Sequence, residues 1–150
     1  MTISPPTDLA LDFWWNGFLV LPGAVSDEIV DVARRETDEL FEHEHNRRAG
    51  KVQDAWEITP GTREVAVAAE VLSMLRSLYG RRPIPYQTLN YRHGSERRAH
   101  CDSMHASTMP AGYVCSAWTA LDETDHTNGP LFYYPGSHHL PELTPRDLAT

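Results

Sequence analysis

The chain has 150 residues, 41% hydrophobic and 23% charged, proportions of a globular protein that exclude disordered and fibrous architectures. Thirteen basic against 21 acidic residues give a net charge of -8, so a nucleic-acid partner is not expected. No apolar run is long enough to cross a bilayer and no basic-then-apolar signal opens the chain, so the expected setting is cytoplasmic, without membrane contact. Two cysteines, Cys101 and Cys115, do not make a disulfide scaffold. Eight histidines are a first pointer to metal chemistry.

The length fits a single domain over residues 1–150. Phe13 to Leu21 reads as a leading helix or turn followed by a short strand after Gly17. Ser26 is an N-cap with Asp27 and Glu28 in the first turn, where acids suit the helix dipole. Ile29, Ala33, Leu40 and Phe41 share one face of that helix, which gives out between His43 and Gly50. A second helix is predicted from about Arg63 to Tyr79, on the spacing of Ala68, Val71, Leu72, Leu75 and Leu78, with Gly80 as its stop.

From Pro83 the pattern turns to strands: Tyr86 to Tyr91, Tyr113 to Leu121, and Leu131 to Tyr134 between Asn128-Gly129-Pro130 and Pro135-Gly136. Helices followed by a run of strands predict an α+β chain whose β part is a sandwich or barrel.

The segment that carries chemistry is Ala99-His100-Cys101-Asp102. At the end of a strand, His100 and Asp102 project to one side, because side chains alternate with period two. An imidazole beside a carboxylate is two-thirds of the facial triad of non-heme iron(II) oxygenases. Taken alone, the same pair also describes a surface loop with a salt-bridged histidine.

Its surroundings favour the metal. Asn90-Tyr91, Gly94-Ser95-Glu96, His100-Cys101-Asp102, Cys115 to Leu121, Asn128-Gly129-Pro130-Leu131 and Pro135-Gly136-Ser137-His138 follow in order, after an opening Asn16 to Gly23. Together they resemble the phytanoyl-CoA dioxygenase family of iron(II)- and 2-oxoglutarate-dependent oxygenases, from about Phe13 to Pro141.

The resemblance implies a double-stranded β-helix, or jelly roll, with helices packed on one face. It implies iron(II) and 2-oxoglutarate as cofactors, with ascorbate assisting, and hydroxylation of a small organic substrate. His100 and Asp102 would be the first two iron ligands, Trp118 would line the 2-oxoglutarate pocket, and Gln87 would contact the co-substrate carboxylate. Trp118 also reads as a core aromatic, and Gln87 as an edge-strand amide bonded to backbone.

His138, read alone, offers itself as the third ligand. The family pattern makes it a turn residue, with the distal histidine and the co-substrate arginine in later strands; Arg146 is too close to the turn to be that arginine. His126 and His139 read as solvated loop residues, and His105 as lining the substrate entrance. The barrel is therefore expected to be incomplete by Thr150. Residues 1–150 alone are expected to be marginally stable, to self-associate through unpaired strand edges, and to show no turnover. The rival readings are a non-catalytic remnant of such an oxygenase and a cupin-like metal-binding domain.

Overall fold

The computed structural model describes residues 8–94, 97–102 and 108–141. Its regular elements are α1 (Asp8–Asn16), α2 (Asp27–Glu42), α3 (Glu44–Ala49), β1 (Lys51–Gln53), α4 (Pro60–Ala66), α5 (Ala69–Tyr79) and β2 (Leu89–Tyr91), with 3-10 turns at Ala55–Glu57 and Ser137–His139. Contacts gather the chain into two compact units. One comprises the described parts of Leu21–Arg97 and Ala117–Pro130; the other comprises those of Met1–Val20, Arg98–Ser116 and Leu131–Thr150.

In the first of these units α2 forms as its apolar spacing predicts. Ser26 caps it in an extended conformation, but its hydroxyl serves the Glu28 carboxylate rather than a backbone amide. A bond to its own backbone, and then the Ser26 hydroxyl, hold the Glu28 carboxyl below its ordinary value. Ala33, Thr37 and Phe41, four residues apart, form the buried stripe. Phe41 packs with Val52 and Ala55 into the core, with Leu40 against it. Burying a ring of this size contributes about 1.5–3 kcal/mol.

Helix α4 lies against α2 at a glycine. A Cβ on Gly61 would sit 2.7 Å from the Ala33 backbone nitrogen and 2.8 Å from Val32 Cγ1. The Gly61 N–H donates to Glu36 Oε2 at 2.7 Å, so a carboxylate on α2 serves the amino end of α4. The two strands pair antiparallel, Lys51 with Tyr91, Val52 with Asn90 and Gln53 with Leu89. Asp54, at φ 55°, extends that pairing: its N–H donates to the Thr88 carbonyl at 2.8 Å and its Oδ1 accepts the Thr88 N–H at 3.2 Å.

Several expectations change here. The helix predicted over Arg63 to Tyr79 is two helices, α4 and α5, broken at Val67 and Ala68. Ala68 has ψ 122°, which no helix continues through. Gly80 does stop α5, in the left-handed region at φ 61°. The strand expected after Gly17 does not form, and Tyr86 to Tyr91 shortens to β2. Tyr113 to Leu121 and Leu131 to Tyr134 enter no ladder among the described residues. The predicted jelly roll thus gives way, among these residues, to a mostly helical mixed structure with one two-stranded antiparallel sheet. The reason is that a β-strand exists through its hydrogen-bonded neighbour, and extended segments without one are not a sheet.

Candidate functional site

The unit containing Arg98–Ser116 brings His100 and Asp102 together. His100 Nε2 lies 3.2 Å from Asp102 Oδ1, although the strand expected to end at His100 does not form and β2 stops at Tyr91. The other ring nitrogen, Nδ1, is 2.7 Å from the Arg98 carbonyl oxygen. A carbonyl only accepts, so Nδ1 carries a hydrogen, and Nε2 is the ring nitrogen turned toward the carboxylate. Two acceptor atoms so placed share either a proton, as an ion pair, or a cation.

The separation suits a cation. Bonds of about 2.1 Å from a metal to nitrogen and oxygen, set at right angles in an octahedron, place adjacent donors about 3 Å apart. The hydrogen bond from the other ring nitrogen to a backbone carbonyl is also the arrangement that metal-bound histidines adopt.

Asp102 has a further partner. The Ser116 hydroxyl donates to Oδ2 at 2.6 Å, the short distance of a hydrogen bond to a charged oxygen. Oδ1 thereby remains the oxygen facing His100. Tyr133 stands in the same electrostatic neighbourhood, its ring stacked on Phe18 with centroids 5.0 Å apart. Burial, first, and then the negative charges of Cys115 and Asp102 push its hydroxyl above the ordinary value.

Among the described residues no group of three or more His, Cys, Asp or Glu side chains forms a metal cluster. His138 is engaged elsewhere. Its Nε2–H donates to the Trp14 carbonyl at 2.8 Å, and its ring lies 3.9 Å from that of His139. Gly136 N–H reaches the Asn16 carbonyl at 3.0 Å, so the Ser137–His139 turn is tied to the end of α1.

Gln87 and Trp118 belong to the other unit. Gln87 is exposed just ahead of β2. Trp118 is 52% exposed, so its reading as a core aromatic does not hold. A cleft of about 320 Å³ in that unit, lined by Lys51, Tyr91, His93 and Arg97, contains neither of them. His126 is an exposed loop residue, as expected, whereas His139, though exposed, belongs to the 3-10 turn, its ring 5.4 Å from that of Trp14. His105 and Arg146, like Ser95 and Glu96 of the motif, lie outside the described residues.

Sequence reasoning missed Ser116 and Tyr133. Neither sits in a metal-ligand spacing; the only available signal was their membership of the two segments, Cys115 to Leu121 and Leu131 to Tyr134, that follow His100 and Asp102.

Comparison with known proteins agrees with the pattern of motifs. The family model described as phytanoyl-CoA dioxygenase (PhyH) matches residues 13–149. The mouse (Mus musculus) protein "Phytanoyl-CoA dioxygenase domain-containing protein 1" is 30% identical over 83 residues, which cover 53% of this chain and 28% of that relative. The chain thus spans less than a third of the curated relative it matches. No solved structure matches.

Proposed function

Because the chain belongs to the phytanoyl-CoA dioxygenase family, a family of iron(II)- and 2-oxoglutarate-dependent dioxygenases, we propose that it serves such an oxygenase, hydroxylating a small organic substrate. His100 and Asp102 are two of the iron ligands in this reading. The observation that carries it is the 3.2 Å approach of Nε2 to Oδ1 with Nδ1 anchored on a backbone carbonyl. Bound there, iron(II) would supply the activation of dioxygen that turns a substrate C–H into C–OH while 2-oxoglutarate becomes succinate and carbon dioxide.

The chain's own groups have defined tasks. His100 presents a lone pair whose direction the Arg98 carbonyl fixes. Asp102 supplies one negative charge, with Ser116 holding its second oxygen. Gln87 is assigned an amide contact to the 2-oxoglutarate carboxylate, and Trp118 a wall beside it. The distal histidine and the arginine that completes the co-substrate site come, by the family pattern, from later strands of a jelly roll.

The second reading, a non-catalytic metal-binding remnant, is favoured by one observation: among the described residues no third ligand joins the pair. Succinate release from 2-oxoglutarate, with iron(II), ascorbate and air, separates the two. Iron-dependent succinate that His100→Ala abolishes supports the oxygenase; iron binding without succinate supports the remnant.

A further inference from the structure

We infer that Ser116 is a positioning residue for the metal centre, orienting the Asp102 carboxylate through its hydroxyl so that one oxygen is reserved for the cation. The inference rests on the ligand assignment proposed above. The contact is specific: Ser116 Oγ–H donates to Oδ2 at 2.6 Å, while Oδ1 is the oxygen 3.2 Å from His100 Nε2. A carboxylate on a surface segment can rotate about its terminal torsion, because that torsion is broad and nearly two-fold. Asp102 has a side chain 56% exposed to solvent, so packing does not lock it. The hydroxyl does what packing does not.

The two ends of this contact come from separate stretches of chain fourteen residues apart. Ser116 therefore fastens the ligand loop to the segment that follows it. The hydrogen bond also selects the binding mode. With Oδ2 occupied by a donor, Asp102 offers a single oxygen to the metal and leaves a neighbouring coordination position open. An alanine would release the carboxylate to rotate or to chelate through both oxygens. Groups that hold metal-bound carboxylates in this way typically change metal affinity about 10–100-fold when removed.

The test is cobalt(II) titration of the purified chain, with affinity read by calorimetry and geometry by the visible absorption of the bound metal. Ser116→Thr keeps the hydroxyl and Ser116→Val replaces it with a methyl group of the same shape, and both are β-branched alike. The expected result is affinity near wild type for Ser116→Thr, and affinity weakened about 10–100-fold with an altered spectrum for Ser116→Val and Ser116→Ala. A merely structural role would make threonine and valine behave alike. Equal affinity in all three variants, or equal loss in threonine and valine, overturns the positioning role and leaves the ligand pair standing. Cobalt(II) binding in the wild type that survives His100→Ala overturns the ligand pair and the role of Ser116 with it, as does no binding at all. If Ser116→Ala fails to fold, the threonine–valine comparison alone decides.

Discussion

His138 closes over Gly17. Its Nε2 donates to the Trp14 carbonyl at 2.8 Å, and Gly17, at φ 82°, leaves the space the ring occupies: a Cβ there would sit 2.8 Å from His138 Cγ. The side chain that the sequence offers as a third ligand is thus spent on fastening the end of α1 to the Ser137–His139 turn.

Gly17→Ala should therefore destabilise the chain on two grounds. Alanine in the left-handed region costs about 1–2 kcal/mol, and the displaced ring loses a hydrogen bond worth about 0.5–1.5 kcal/mol. Thermal melts of Gly17→Ala, His138→Ala and the double variant check this. The double variant should lose less than the sum of the singles, because His138→Ala removes the ring that the new methyl strikes.

Tyr133 gives a pH signature. Its hydroxyl is raised above 10.0 by burial first, then by Cys115 and Asp102. A raised acid binds its proton more tightly when folded, so this contribution to stability is fully present below the unfolded value near 10 and is lost as pH rises through the folded value. Ultraviolet titration should show a late phenolate component that Tyr133→Phe removes. Asp102→Asn should shift that component to lower pH, since one of the negative charges opposing phenolate formation is gone.

In the segment Leu131 to Tyr134 the rings on either side of Tyr133 face water, Phe132 75% exposed and Tyr134 66%. Exposed apolar rings outside any ladder favour association with another chain. Sedimentation velocity should show concentration-dependent self-association. Phe132→Lys should weaken it, because a charge replaces an exposed apolar ring; a wild-type monomer at all concentrations would contradict this.

The legible parts of the structure are those with a period. Ala33 and Phe41 announce the buried stripe of α2, and the five apolar positions read for the second helix, Ala68 to Leu78, are all half-buried in or beside α5. The break at Val67 and Ala68 was hidden because the apolar spacing runs across it, although Thr59-Pro60 marked a helix start three residues before Arg63. β1, three residues long, is too short to show alternation. The pair His100 and Asp102 was legible because the two stand two residues apart in the sequence, although the strand expected to present them does not form. Ser116 and Tyr133 reach it only through tertiary contact, and a lone serine or tyrosine carries no spacing to read. The later strands were expected from aromatic and small apolar content and from turn signals, but neither supplies a pairing partner.

The measurement that bears most directly on the central claim is an anaerobic iron(II) titration of the wild type, His100→Ala and His138→Ala, followed by calorimetry. One iron-binding event is expected in the wild type, lost in His100→Ala and of near-wild-type affinity in His138→Ala, whose ring nitrogen already serves the Trp14 carbonyl. Binding that survives His100→Ala and disappears in His138→Ala would contradict it, and would move the metal to the turn at Ser137–His139.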